Sequence, residues 1–352
     1  MRNEERVRRL TAERKLSRED LAALLSTYDA EDRETLARTA REISQGVFGH
    51  EVYTRGLIEI SNHCKNNCLY CGIRRGNAEI TRYRLTPKQI LDCCAAGYEL
   101  GFRTFVMQGG EDAWFTDERM AELIGCIRAA YPDCAITLSI GEKSRETYQR
   151  FFDAGANRYL LRHETADEAH YHRLHPPELS FRNRMRCLRD LRDIGFQTGC
   201  GCMVGSPYQT AENLADDILF MADFRPQMIG IGPFIPHHQT PFAAFPAGSA
   251  ETTLLMLSIL RILLPKVLLP ATTALGTVRG GGREQGVLAG ANVVMPNLSP
   301  LNVRKDYLLY DNKLGTNDPA GESLTRLRAG MEKIGYHLAS VRGDYPDGKD
   351  GT

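Results

Sequence analysis

Cys64, Cys68 and Cys71 stand close together in the stretch Ser61-Asn62-His63-Cys64-Lys65-Asn66-Asn67-Cys68-Leu69-Tyr70-Cys71. The polar residues Lys65, Asn66 and Asn67 between the first two suit a loop, whereas unliganded cysteines behave as small buried hydrophobes. Thiolates spaced Cys-x3-Cys-x2-Cys wrap three corners of an iron-sulfur cubane. A 4Fe-4S cluster has four corners, so one iron stays open to a second molecule. A structural zinc site asks for a second ligand pair at matching spacing, and the sequence has none.

An open iron flanked by thiolates can chelate an amino and a carboxylate group together, which is how S-adenosylmethionine binds in radical enzymes. Reductive cleavage of its sulfonium gives a 5'-deoxyadenosyl radical, the cofactor carrying the chemistry and the protein the orientation. Other residues suit a cradle for that molecule. Gly109-Gly110-Glu111 offers close backbone approach and one carboxylate to accept from an ammonium. Arg162 and Glu164, two residues apart on an expected strand, share one face of it. Arg184 can take a carboxylate bidentately, although its arginine-rich helix suits a solvated face equally well. His170, His172 and His175 lie on a polar helical stretch and are expected to face solvent, as are His237 and His238. The run Gly280-Gly281-Gly282-Arg283 reads as a turn whose amides offer an anion site. Cys200 and Cys202 share a strand face, and with Cys93, Cys94, Cys126, Cys134 and Cys187 they read as structural thiols.

The elements that must position these residues follow a repeating beat. Residues 4–47 read as helices. Strand patterns then occur at 53–60, 103–108, 134–140, 157–164, 196–204, 227–232, 267–271 and 291–295, separated by helical stretches. Eight strands alternating with helices imply an α/β fold of the (β/α)8 TIM-barrel type. The expected organisation is an N-terminal helical extension over 1–50, the barrel over 51–300 and a C-terminal segment closing it over 301–352. The unusual residues gather after strands, at the C-terminal face where such barrels place their sites. Glycine or threonine at 199, 201, 230, 232, 272 and 273 suggests a barrel with room inside, where Arg162 would hold an anion.

Formal charge is zero over 352 residues of 42% hydrophobic content, so no charge excess calls for nucleic acid or an anionic membrane. No apolar run reaches the roughly eighteen residues of a membrane span, and the charged N-terminus is not signal-like. An open iron-sulfur cluster also needs a reducing compartment. The expected location is the cytoplasm.

The chain resembles the HydE-type radical S-adenosylmethionine maturases of FeFe-hydrogenase, within the group that includes biotin synthase and methylornithine synthase. The stretches that carry this are Tyr-Thr-Arg-Gly-Leu-Ile-Glu from Tyr53, Tyr-Leu-Leu-Arg-His-Glu-Thr-Ala from Tyr159, Gly-Ile-Gly-Pro-Phe-Ile-Pro-His from Gly230, Pro-Ala-Thr-Thr-Ala from Pro270 and Gly-Ala-Asn-Val-Val-Met-Pro-Asn from Gly290. The resemblance implies that Cys64, Cys68 and Cys71 ligate one 4Fe-4S cluster. It implies that Tyr70, Gln108, Gly110, Glu111, Ser139, Glu164, Arg184 and Ile231 surround S-adenosylmethionine. It further implies that Arg162, Thr272, Thr273, Met295, Tyr307 and Tyr310 line a substrate cavity. The implied substrate is a small anionic iron carbonyl cyanide complex bound to cysteine, or another amino-acid-derived anion. An electron donor such as ferredoxin or flavodoxin and companion maturases are the implied partners. Asp112 departs from the family pattern, in which proline commonly follows Gly-Gly-Glu, and the cysteines at 200 and 202 stand where smaller or hydroxyl side chains are expected. No cysteine follows Cys202, which excludes a second cluster held by the tail. Two competing readings are a methylornithine-synthase-like mutase and a non-catalytic iron-sulfur carrier. The carrier has no need of Gly-Gly-Glu, Glu164 or Arg184.

Overall fold

A computed structural model describes residues 1–346. Three helices lead, α1 (Asn3–Glu13), α2 (Arg18–Thr27) and α3 (Ala30–Phe48). Ser17 caps the second by accepting from the Asp20 amide, and Asp29 and Asp32 cap the third reciprocally, so it starts at Ala30. Two strands follow where the sequence pattern suggests one. β1 (Glu51–Thr54) and β2 (Gly56–Ser61) are separated at Arg55, which is buried.

The helices after the cysteine loop are α4 (Pro87–Glu99), α5 (Asp117–Ala130), α6 (Arg145–Asp153), α7 (Glu168–Leu174), α8 (Phe181–Ile194), α9 (Ala211–Phe224), α10 (Ala250–Leu263), α11 (Thr273–Val278) and α12 (Gly282–Leu288). Between them run β3 (Thr104–Gly109), β4 (Ala135–Ser139), β5 (Arg158–Leu160), β6 (Gln197–Cys200), β7 (Met203–Val204), β8 (Met228–Ile229), β9 (Gly232–Pro233) and β10 (Val293–Val294). Thr86, Thr116, Ser144, Ser180, Thr210 and Ser249 each accept an amide of the first turn, which is why the helix starts were legible. α13 (Leu301–Arg304), α14 (Ala320–Lys333) and β11 (His337–Ala339) end the described chain.

β2, β3, β4, β5, β6 and β8 form one parallel sheet in that order. β10 pairs with β1, and single bridges complete the closure, from Met228 to Leu268, Pro270 to Val293 and Asn297 to Leu57. The fold is therefore a (β/α)8 barrel, with its seventh strand reduced to bridges. Pro270 lies in that segment and cannot donate to a ladder, which accounts for the shortening. Elsewhere the ladder is interrupted by geometry. Gly201 has φ +152°, and a Cβ there would lie 2.1 Å from the Gly230 oxygen, so β6 and β8 touch backbone to backbone before resuming as the β7–β9 pair. A Cβ at Gly199 would lie 2.7 Å from Leu160 Cδ1. These two glycines permit close strand packing, contrary to the expectation that they open the interior.

β1 lies between β10 and β11, all parallel, at the end of the barrel where strands begin. Arg158, with no exposed side chain, ties that end to the C-terminal segment through Asp344 at 2.7 Å and the Arg342 oxygen at 2.9 Å. The lead-in helices pack outside, α2 on α9 and α3 on α10. The opposite end receives the cysteine loop.

Candidate active site

β2 delivers the chain straight into the cysteine loop. Arg82 holds the loop's shape by donating to four carbonyls, those of Asn62 at 2.5 Å, Ile73 at 2.8 Å, Arg74 at 2.6 Å and Asn77 at 3.0 Å. Asn62 adds bonds to the Thr81 and Asp306 oxygens, both 2.7 Å. Replacing Arg82 with Met removes all four donors at once. The expected result is a sharp loss of iron retained per chain after anaerobic reconstitution, measured against the parent.

Cys64, Cys68 and Cys71 are free thiols, partly exposed. Three thiols in one loop match three corners of an iron-sulfur cubane, whereas a structural zinc takes four protein ligands. Cys64 Sγ accepts from the Glu111 amide at 3.4 Å. Burial raises all three thiols, Cys71 to about 12, and such groups stay protonated until a metal takes their charge. The donor set fits a cubane with one open iron.

After β3, Gly110 is pressed against the cysteine loop. A Cβ there would lie 2.2 Å from the His63 oxygen and 2.7 Å from Cys64 Cβ, so only glycine fits. The Glu111 carboxylate faces Lys65 at 3.0 Å and accepts from the Glu142 amide at 3.0 Å, tying the loop after β3 to the loop after β4. Asp112, the departure from proline, accepts from Ser61 at 2.7 Å and from Arg84 at 2.7 and 3.0 Å. Proline has no side chain to do this. A cleft of about 290 Å³ opens beside Cys64, lined in part by Arg75, Arg82, Arg84 and Glu111.

The Tyr70 hydroxyl donates to His175 Nε2 over 3.1 Å, because His175 Nδ1 donates to the Tyr171 carbonyl, and the two rings meet edge to face. His175 is buried, stacks on Tyr171, and its imidazole is lowered to about 3, chiefly by desolvation and then by the nearby Arg184 charge. The expectation that it faces solvent fails, because the polar stretch of α7 turns His170 and His175 inward onto the Pro207 and Tyr171 carbonyls. Only His172 of the three is exposed. Likewise His237 is buried while His238 is exposed. Below pH 6.5 the unfolded chain binds a proton that folded His175 refuses until about pH 3. Stability should therefore fall with falling pH across that window, by up to about 1.4 kcal/mol per unit from this residue. Thermal unfolding of His175→Gln over the same range should show a shallower slope than the parent.

Arg162 and Glu164 lie beyond the end of β5, so strand alternation does not orient them. Glu164 takes a left-handed conformation, φ +69°, with its amide on the Gly201 oxygen at 3.0 Å. The side chains form an ion pair, Arg162 Nη2 to Glu164 Oε2 at 2.9 Å, and Arg162 Nε is buried without a hydrogen-bond partner. Arg184 is buried and not on a solvated face. It donates to Glu142 at 2.5 Å and to the Arg162 oxygen at 2.6 Å. Gln108 and Ser139 are paired across β3 and β4, and Gln108 donates to the Tyr307 hydroxyl at 3.2 Å. Ile231 is buried between β8 and β9.

Deeper in, Thr272 caps α11 and Thr273 accepts from Arg283 at 3.2 Å. Tyr310 is raised to about 12, mostly by burial, with Arg283 and Arg162 opposing that shift. Met295 is partly buried and packs against the cluster of Phe48, Met228, Leu268 and Val293. Tyr307 is buried under Lys313, whose ammonium pairs with Glu59 on β2. The sequence reading missed Arg82, Lys313 and Glu142. Lys313 lies 254 residues from Glu59, and Arg82 bonds only backbone carbonyls, which every residue offers, so spacing carries no signal for either.

The chain matches the Radical SAM superfamily over residues 58–221. It is 30% identical over 90% of its length to 3-methylornithine synthase of Methanosarcina acetivorans, covering 89% of that protein. The crystal structure of methylornithine synthase (PylB) superposes with a TM-score of 0.81 at 27% identity, over 95% of this chain and 97% of that one. It is 45% identical over 86% of both chains to the [FeFe] hydrogenase maturase subunit HydE of Thermotoga maritima. With that degree of likeness over nearly its whole length, the chain belongs to the HydE family of radical S-adenosylmethionine enzymes.

Proposed function

We propose that the chain acts in assembly of the FeFe-hydrogenase active-site cluster, on a small anionic iron carbonyl cyanide complex bound to cysteine. The observation that carries this is the meeting, at one mouth, of three free thiols with the Arg162–Glu164 ion pair. Cys64, Cys68 and Cys71 would hold a 4Fe-4S cluster, which together with S-adenosylmethionine supplies a 5'-deoxyadenosyl radical when reduced.

Gly110 lets the main chain after β3 close on the cysteine loop, and Tyr70, held by His175, would border the adenine. Glu164 and Arg184 take its amino and carboxylate ends, with Gln108, Glu111, Ser139 and Ile231 completing the surround. Glu142 orients Arg184 so that its fork is set before the ligand arrives. Arg162 and Arg283, flanking Tyr310 and Thr273, make the interior attractive to an anion, and an anion there would offset the cost of keeping these cations out of water. Thr272, Met295 and Tyr307 would close the cavity. Reduction would come from a ferredoxin or flavodoxin in the cytoplasm, and companion maturases would supply the substrate and take the product.

The test is a reconstituted maturation reaction in which the chain replaces the family member, with companion maturases and apo-hydrogenase. Hydrogen evolution above the omitted-chain control is expected. No evolution, together with formation of 3-methylornithine, would assign the chain to the mutase reading.

A further inference from the structure

Behind Arg162 and Glu164, in the wall between β6 and α9, lie the His163 imidazole, the Cys202 thiol and the Asp217 carboxylate, all fully buried. One ligand atom of each lies within 4.8 Å of the others, a metal-like grouping. The hydrogen bonds argue against an ion. His163 Nδ1 faces the Gly201 amide at 3.2 Å and can only accept from it, so a neutral ring carries its proton on Nε2. That proton points at Asp217 Oδ1, 3.2 Å away, and a protonated ring nitrogen has no lone pair for a metal.

Asp217 Oδ1 also accepts from the Ala166 amide at 2.6 Å. His163 and Ala166 bracket Glu164 and Thr165, so one carboxylate grips the turn on both sides. Gly201 completes the hold, its amide on His163 and its oxygen on the Glu164 amide. A non-glycine residue in a left-handed conformation costs about 1–3 kcal/mol and persists only where its surroundings impose it. Here the surroundings are Asp217 and Gly201. The Cys202 thiol, a weak donor, lies beside the same carboxylate, so its two strong donors are His163 and the Ala166 amide of the turn.

We propose that Asp217 is a positioning residue for S-adenosylmethionine: through His163 and Ala166 it holds the left-handed turn at Glu164 and so aims Glu164 and Arg162 into the mouth. This rests on the reading that Glu164 binds S-adenosylmethionine. Asp217 touches neither cofactor nor substrate and acts only through the turn.

The test uses the cluster-loaded enzyme and reads the dissociation constant of S-adenosylmethionine from the change in the cluster's spectrum. Asp217→Asn keeps the shape but puts a neutral amide oxygen, a weaker acceptor, where one carboxylate oxygen takes both charge-assisted bonds. It should weaken binding about tenfold, or about 1.4 kcal/mol, with iron content and melting temperature as in the parent. Glu164→Gln should also weaken binding, and the double variant should bind no worse than Glu164→Gln alone, because both losses pass through the same side chain. If Asp217→Asn does not load iron, His163→Gln carries the same comparison with the same expected non-additivity. Parent-like affinity in Asp217→Asn or His163→Gln while Glu164→Gln is weakened, or additive losses in the double variant, overturns the inference and leaves the site reading standing. Parent-like affinity in Glu164→Gln overturns the site reading and the inference with it.

Discussion

Serine at Cys64, Cys68 or Cys71 is expected to abolish cleavage of S-adenosylmethionine, each variant alone doing as much damage as all three together. Three ligands are the minimum that leaves one iron open, and an alcohol at one corner is a poor substitute for a thiolate. The shared loop makes the effect all-or-none, since Arg82 and the Glu111 amide serve the cysteines as one unit. Cys200→Ala is the control, because Cys200 is buried in the core and makes no contact with the loop's sulfurs. It should retain iron and cleavage. Production of 5'-deoxyadenosine under anaerobic reduction measures both. Substantial cleavage by any of the three serine variants would mean that the cluster has another ligand.

Lys313→Met is expected to be the most destabilising single change among the charged residues of the mouth. Glu59 has no exposed side chain, and Lys313 is 8% exposed. Glu59 also accepts from Asn297 at 2.8 Å, and Lys313 donates to the Tyr307 oxygen at 2.9 Å. Removing the cation leaves a buried carboxylate with one neutral donor, which costs about 3–5 kcal/mol. The pair also pins the segment from Tyr307 to Lys313 over the barrel, where the Leu309 oxygen receives the Gly72 amide next to Cys71. Loss of the pair should therefore loosen the cysteine loop as well. Denaturant titration of Lys313→Met against Lys313→Met/Glu59→Gln checks the cause. The double variant should regain most of the lost stability, and a double variant as unstable as the single one would show that packing of the lysine stem, not the stranded charge, sets the cost.

The cysteine loop, the barrel and most helix starts were legible because each is written locally. Thr86-Pro87 makes a capping box with Gln89 within four residues, and the thiol spacing lies inside one loop. What failed depended on partners far along the chain. The polarity of the stretch around His170 suggested a solvated face, yet His170 turns to the Pro207 carbonyl and His163 to Asp217, fifty-four residues away. Arg184 looked like one of several surface arginines until Glu142 and the Arg162 carbonyl were brought to it. Strand lengths were overestimated where apolar runs continued past a backbone break, at Pro270, at Gly201 and at the left-handed Glu164. Asp112 read as a modest change at a turn, and its use, pairing Arg84 and Ser61, was visible only in three dimensions.

The central claim is that the mouth holds one cluster whose open iron takes S-adenosylmethionine. Anaerobic reconstitution followed by electron paramagnetic resonance of the reduced protein, with and without S-adenosylmethionine, tests it most directly. The account predicts about four irons per chain, as one cubane requires, and a spectrum that shifts when S-adenosylmethionine is added. Iron sufficient for two clusters, or a spectrum unmoved by S-adenosylmethionine, would contradict it.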